Sequence, residues 1–249
     1  MCTLLVWKNV HPEYPVVVAT NRDEDERRPS TRPQLLSRDP RVVGGLDQQA
    51  GGTWLAISSL GYVVALTNRR GAGKHDPSKR SRGRLVTDLA ARAGVTDALA
   101  RLREIDAHEY NPFVLLALDS RSGFAAHGGE RGLEIAPLSD GVHAVTNWDL
   151  DSQRDEKARR ALELARAFPL ATIGIGALAP ALYELLQYHE DGPGGRDGGL
   201  CVHLPASHYG TRSSAIVLLG SSPAATRYYY GEGHPCEGAL EDVTSLLTA

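Results

Sequence analysis

A thiol in the second position of a chain has a chemistry that no interior cysteine has. Initiator methionine is normally trimmed when the next side chain is small, and in Met1-Cys2-Thr3 that side chain is cysteine. One cut leaves a thiol and a free α-amino group on the same residue. The amine, with an ordinary pKa of about 7.7–8.0, can take the thiol proton and later return it to a leaving group. The plain alternative is a small apolar residue opening the strand Cys2-Thr3-Leu4-Leu5-Val6-Trp7. A carboxylate accepting a hydrogen bond from the amine would complete a set of nucleophile, base and orienting group. Asn21-Arg22-Asp23-Glu24 offers one in Asp23, against the reading of Asp23 and Glu24 as solvated loop charges.

Two further clusters carry reactive side chains. Cys201-Val202-His203 and His234-Pro235-Cys236 set Cys and His two residues apart, on one face wherever the chain is extended. A four-ligand zinc or haem-related site is conceivable there. Standard structural zinc spacings are absent, however, so a core cysteine and surface histidines are expected, with no metal and no organic cofactor. Arg69, Arg70, Lys74, Lys79, Arg80, Arg82 and Arg84 form a basic, glycine-containing run. It reads as a solvated loop. Its other use would be nucleic-acid contact, with steep salt dependence.

These residues need elements to position them. Short β-rich runs at 2–7 and 15–20 flank the turn His11-Pro12-Glu13-Tyr14, which predicts a hairpin carrying Cys2 beside Asn21. Residues 21–40, with Pro29, Pro33 and Pro40, read as an extended loop. Runs at 53–58 and 62–67 predict a second hairpin. Helical patterning begins near Leu85 and again at Thr96, a candidate N-cap, with Gly94 as the break between the two helices. Strands at 113–118, 123–127, 133–136 and 143–146 outline a β-meander. Ser152 is a candidate cap for a helix reaching Phe168, and a second helix is expected over 177–189. A glycine-rich loop at 191–199 precedes strands at 200–204, 214–219 and 227–230. Many hairpin strands with paired helices predict an α+β domain of antiparallel sheets faced by helices, rather than a parallel βαβ sheet. No internal repeat or linker divides residues 1–249.

Composition bounds the rest. Twenty-seven basic against thirty acidic side chains give a net charge of −3, which exerts no global pull on nucleic acid or anionic membrane. Three well-separated cysteines without a CxxC pair argue against a disulfide framework and for a reducing, cytoplasmic compartment. The first apolar run is too short for a signal or a span, so no membrane insertion is expected. Arginine dominating lysine, with abundant alanine and glycine, suggests a GC-rich bacterial genome.

The opening Met1-Cys2-Thr3-Leu4, the Thr20-Asn21-Arg22-Asp23-Glu24 run with Arg28-Pro29, and Gly51-Gly52-Thr53-Trp54-Leu55 resemble the NRDE family, that of transport and Golgi organisation proteins. Thr67-Asn68, Ser81-Arg82-Gly83, Thr146-Asn147-Trp148 and Tyr209-Gly210-Thr211-Arg212-Ser213-Ser214 continue the match in order. Leu46 stands where that family pattern leads one to expect arginine. The family in turn resembles N-terminal-nucleophile (Ntn) hydrolases of the choloylglycine type, the bile salt hydrolases and penicillin V acylases. That resemblance implies a four-layer αββα sandwich of two mainly antiparallel sheets between helix layers. It implies Cys2 as nucleophile, Asp23 as its orienting carboxylate, Asn68 and Asn147 at the oxyanion, and Arg212 beside the thiolate. Thr20 replaces the arginine expected before the Asn-x-Asp step.

Each residue type has a physical reason to be there. Two asparagine amides can donate to a developing oxyanion, where losing one donor typically costs about 3–4 kcal/mol in acyl-transfer enzymes. Taken singly, Asn68 and Asn147 would read as strand-end turn residues and Arg212 as a surface charge. Their order in the chain favours the catalytic set. The implied activity is cleavage of a linear, non-peptide C–N amide through a thioester, on a small-molecule amide substrate, with the basic run as a lid or anionic-substrate clamp. The resemblance also allows a non-catalytic carrier or trafficking protein for a lipid or haem-like ligand, and fold alone does not separate the two.

Overall fold

The computed structural model describes residues 2–189 and 198–248. Two antiparallel sheets are built from β1 (Thr3–Lys8), β2 (Val16–Asp25), β3 (Gln34–Arg38), β4 (Arg41–Gly44), β5 (Leu55–Ser58), β6 (Tyr62–Asn68), β7 (Phe113–Asp119), β8 (Gly123–Gly129), β9 (Gly132–Pro137), β10 (Gly141–Val145), β11 (His203–Leu204), β12 (Tyr209–Leu219), β13 (Arg227–Glu232) and β14 (Leu240–Asp242). The first sheet runs β10-β1-β2-β12-β13-β14, with β11 also paired to β12; the second runs β3-β4-β5-β6-β7-β8-β9.

Strand alternation makes the layers. In β1, Leu4 and Val6 point into a core shared with Val43, Ile57, Val63 and Leu116 of the other sheet. Leu5 and Trp7 point the opposite way, onto Ala161 and Leu162 of α3 (Glu156–Ala167) and Leu182 of α4 (Ile175–Leu186). In β6, Val63 and Ala65 face the sheet-to-sheet core, while Tyr62, Val64 and Leu66 pack on Leu85 and Leu89 of α1 (Arg82–Ala90) and Leu102 of α2 (Val95–Arg103). Both sheets are covered on both faces. Their central strands therefore read as apolar runs instead of alternating polar and apolar residues. The result is the expected αββα sandwich.

Several boundaries depart from the sequence reading. Residues 21–25 are strand, not loop, because β12 pairs along β2 from Val16 to Asp25 and supplies partners for its polar side chains. β3 and β4 form a hairpin that the prolines of 21–40 concealed. Strand 143–146 leaves the meander: β10 crosses to the first sheet and pairs with β1, aligning Leu4 with Val145. Gly94 starts α2 as its N-cap, taking the place expected for Thr96, and Asp155, not Ser152, caps α3 by accepting from Ala158 N at 2.7 Å. Of 200–204 only His203–Leu204 is strand. The loop expected at 191–199 falls mainly outside the described residues. Among those described, no helix is long and apolar enough to cross a membrane.

Candidate active site

β1 fixes the position of Cys2. Its ladder with β2 pairs Thr3 with Asn21, and its ladder with β10 pairs Leu4 with Val145. Continued outward, these registers set Cys2 between Arg22 and Asn147, and alternation turns it to the same side as Leu4 and Val6, between the sheets. Asn147 Nδ2 donates to the Asn68 carbonyl oxygen at 3.1 Å, and Arg70 N donates to the Asn147 carbonyl oxygen at 2.7 Å. The two sheets are thus tied together at the end where Cys2 lies. Cys2 itself is half-buried, and the Asn68 side chain is exposed.

Along Asn21-Arg22-Asp23 the side chains alternate between two tasks. Asn21 faces the helices: its Nδ2 donates to the carbonyl oxygens of Leu186 at 2.9 Å and Leu200 at 2.8 Å, and its Oδ1 accepts from Ser214 Oγ at 2.6 Å. Asp23 faces the same way. Its carboxylate accepts from Lys157 Nζ of α3 at 2.9 Å and from Thr211 Oγ1 at 2.7 Å, in a buried ion pair. It is therefore no solvated loop charge. Cys2 Sγ lies 3.9 Å from the Asp23 carbonyl oxygen, a weak contact. Arg22, turned between the sheets, stacks its guanidinium 4.4 Å from the Trp54 ring centroid.

Trp54 is held by the glycines that precede it. Gly52 has φ of +83°, and a Cβ there would stand 2.1 Å from the Gly83 backbone. Glycine is required at this crossing. Thr53 N donates to Gly83 O at 3.0 Å and Ser81 Oγ to Gly51 O at 2.9 Å, which docks the start of α1 against this turn. Arg82, the first residue of α1, is thereby brought within electrostatic reach of Cys2, with its Nη1 donating to Pro112 O at 2.9 Å. Burial and the neighbouring Arg28 hold its pKa below the ordinary arginine value. Arg82 was not among the predicted site residues; its signal was the Ser81-Arg82-Gly83 motif, hidden in a run read as solvated. Much of that run is solvated as expected, with Arg70, Lys74, Arg80 and Arg84 exposed, but Arg69 is partly buried in its pair with Asp149 and Arg82 is held inward.

Arg212 sits in a register shift where Thr211 pairs with Asp23 and Ser213 with Arg22. Such a bulge re-aims a side chain beside a site. Arg212 Nε, Asn147 Oδ1 and the hydroxyls of Thr3, Thr67 and Thr146 are all buried without a hydrogen-bonding partner among the described residues. The three threonines adjoin Cys2, Asn68 and Asn147 in sequence. Orphaned polar atoms are few in folded proteins, and this grouping marks one end of the sandwich, although Tyr183, Thr226 and His234 carry others elsewhere. A shallow concavity of about 420 Å³ beside α1, lined by Leu46, Arg84 and Thr87 among others, contains none of these residues. Leu46 therefore lines a different surface.

Burial pushes the Cys2 thiol pKa up; the positive chain terminus and Arg22 oppose this, and Asp23 adds to it. The thiol stays protonated at neutral pH. Attack on a carbonyl therefore requires a base at hand.

The structure also gathers the Cys and His residues that the sequence left apart. Cys201, His203 and Cys236 converge with His189, from beyond the end of α4, at a sheet edge. His234 lies outside the group and stacks on His203 at 3.7 Å between ring centroids. Cys201 is buried, as expected of a core cysteine, while Cys236 is exposed; what sequence distance concealed is that they meet at a junction of three segments.

Comparison with known proteins follows the same lines. The family model for Transport and Golgi organisation 2 matches residues 1–229. The chain is 29% identical over 245 residues to the human Transport and Golgi organization protein 2 homolog, covering 86% of this chain and 85% of that one. It is 30% identical over 254 residues to the Drosophila melanogaster Transport and Golgi organization protein 2, covering 89% and 88%. Among solved structures it resembles a conjugated bile acid hydrolase from Clostridium perfringens, with a TM-score of 0.62 at 11% identity over 98% of this chain and 93% of that one. Penicillin V acylase from Agrobacterium tumefaciens gives a TM-score of 0.60 at 13% identity, covering 98% and 86%.

Proposed function

Because the chain belongs to the Transport and Golgi organisation 2 family and has the fold of an Ntn hydrolase, we propose that it is an N-terminal cysteine hydrolase of a linear, non-peptide C–N amide, acting in the cytoplasm. What supports this most is the grouping of Cys2 with the Asn68–Asn147 bridge, Arg82 and the orphaned polar atoms of Thr3, Thr67, Thr146 and Arg212 at one end of the sandwich.

Removal of Met1 frees the Cys2 amine, which takes the thiol proton as Sγ attacks the amide carbonyl carbon. The oxyanion is met by the Asn147 side-chain N–H not donated to Asn68 O; the Asn68 side chain is exposed and follows Leu66 to the α1 face, so Asn68 contributes through the backbone carbonyl that holds Asn147. As the C–N bond breaks, the ammonium returns its proton to the leaving amine and a thioester remains on Cys2. Water attacks the thioester, losing a proton to the same amine, and the acid departs as the thiol is restored. Asp23 acts through position: held by Lys157 and Thr211, it fixes the strand beside the Cys2 amine. Arg82 and Arg212 supply positive charge to the thiolate.

The reaction is tested by screening N-acyl amides for amine release with Met1-processed protein, beside Cys2→Ala. Turnover by the native chain, absent in the variant, supports the hydrolase. Equal rates in both would refute it.

A second reading is carriage of a lipid or haem-like ligand by the same cleft. It is favoured by the raised Cys2 pKa, which leaves a thiol without its amine unreactive, and by the transport designation of the relatives. Saturable ligand binding unaffected by Cys2→Ala, with no turnover, would select it.

A further inference from the structure

Four soft or borderline donors meet where α4, β11 and the turn after β13 converge. Cys201 Sγ lies 3.8 Å from Cys236 Sγ and 3.4 Å from His203 Nε2, and His203 Nε2 lies 3.2 Å from Cys236 Sγ. With His189 included, one ligand atom from each residue falls within 4.8 Å of every other.

These distances can be set against a metal polyhedron. With Zn–S at about 2.3 Å and Zn–N at about 2.0–2.1 Å, a tetrahedral centre has S···S edges of about 3.8 Å and S···N edges of about 3.6 Å. The observed separations match the first and approach the second. Two thiols and two imidazoles are also the donor set that tetrahedral zinc prefers over hard, oxygen-seeking cations.

The surroundings match a metal centre too. His189 Nδ1 lies 3.1 Å from the Cys201 carbonyl oxygen, the bond by which a ligating histidine commits one ring nitrogen and keeps the lone pair on the other. His203 is held in orientation by the stacked ring of His234. Tyr183 Oη is buried without a hydrogen-bonding partner among the described residues, and lies within electrostatic reach of both sulfurs. A disulfide is the competing use of two cysteines this close. It would need the sulfurs at about 2.05 Å and would employ neither imidazole.

We propose that His189, Cys201, His203 and Cys236 form a closed, structural zinc site pinning β11 and the turn after β13 to the end of α4. Binding releases the two thiol protons to solvent and leaves both sulfurs as thiolates. The pinned segment bears on the Cys2 end of the molecule: Val202 N donates to Thr211 Oγ1 at 2.9 Å, and Thr211 Oγ1 donates to the Asp23 carboxylate. Zinc would thus buttress Asp23 from behind without touching substrate.

The test measures zinc on the full chain purified without chelator, then replaces it with Co²⁺ and records the visible spectrum. One zinc per chain is expected, together with d–d bands and a thiolate-to-cobalt charge-transfer band. Cys236→Ser, at an exposed position, should fold as judged by circular dichroism, yet lose at least about a hundredfold in zinc affinity. Cys2→Ala should bind zinc like the native chain. Folded protein that binds neither metal, or Cys236→Ser that binds as tightly as native, would overturn the proposal, as would a chain isolated with Cys201 and Cys236 oxidised to a disulfide. Amide turnover is read separately, so failure of the hydrolase reading leaves this result intact.

Discussion

The two cysteine neighbourhoods differ in what surrounds the sulfur. Around Cys2, among the described residues, the charged and polar company includes Arg22, Arg82 and the Asn68–Asn147 bridge. Around Cys201 the neighbours are another thiol and two imidazoles, with Cys236 and His203 at distances that fit a shared cation and His189 within 4.8 Å. The first setting suits the free, attacking sulfur that we propose, with cationic and amide groups near it. The second suits sulfurs that must stay put. Residue type alone does not separate a nucleophile from a ligand; the company of each sulfur does.

Reciprocal substitutions break this comparison most sharply. Cys2→Ala is expected to lower kcat/KM for an amide substrate by about 10³-fold or more while leaving zinc content unchanged. Cys236→Ser should lose its zinc and, through the lost support behind Asp23, lower turnover by far less than Cys2→Ala; a loss of turnover as large as that of Cys2→Ala would erase the distinction. The measurement is steady-state amine release alongside metal analysis of each variant.

The buried pair that links the regions comes next. Lys157→Met removes the Lys157 ammonium from the buried Asp23 carboxylate and should cost about 3–5 kcal/mol in urea unfolding. Adding Asp23→Asn should recover part of that loss. Equal stability of native and Lys157→Met would show that the pair is not the anchor of the strand.

Asn147→Ala should lower kcat by about 10²–10³-fold, with zinc content unaltered. A change confined to KM would move Asn147 from the oxyanion to substrate binding.

Between the two regions, β10 supplies a control. His143 Nδ1 pairs with Asp151 Oδ2 at 2.7 Å, which raises the His143 pKa above its ordinary 6.5. Since the folded value is the higher one, the pair stabilises fully below pH 6.5 and loses that contribution as pH rises through the folded pKa. Asp151→Asn should therefore cost about 1–2 kcal/mol at pH 5.5 and much less at pH 9, with both cysteine sites unaffected.

How much of this was legible in the sequence differs between the regions for a physical reason. The Cys2 hairpin and the two-sided apolar strands follow from local patterns: turn residues at 11–14, β-branched runs and a terminal cysteine. The helical cover at Leu85 and Leu162 follows from local periodicity in the same way. Asp23 is singled out in the sequence as the carboxylate for the Cys2 amine, but its anchoring is not legible there because its partners, Lys157 and Thr211, lie more than a hundred residues away in the chain. Arg82 was masked by neighbouring basic residues, and only the docking of its neighbours Ser81 and Gly83 against the Gly51-Gly52 turn shows where it is held. The four-donor cluster draws on His189, the Cys201–His203 pair and Cys236, from three separate segments. No spacing rule spans such a junction.

The central claim is that Cys2 acts as an N-terminal nucleophile, and intact-mass spectrometry with an amide- or lactone-based thiol probe tests it most directly. The account predicts a native chain lacking the mass of Met1, carrying one probe adduct mapped to Cys2, and an unlabelled Cys2→Ala. Folded, homogeneous protein that keeps Met1, or that labels at Cys236 while sparing Cys2, would contradict it.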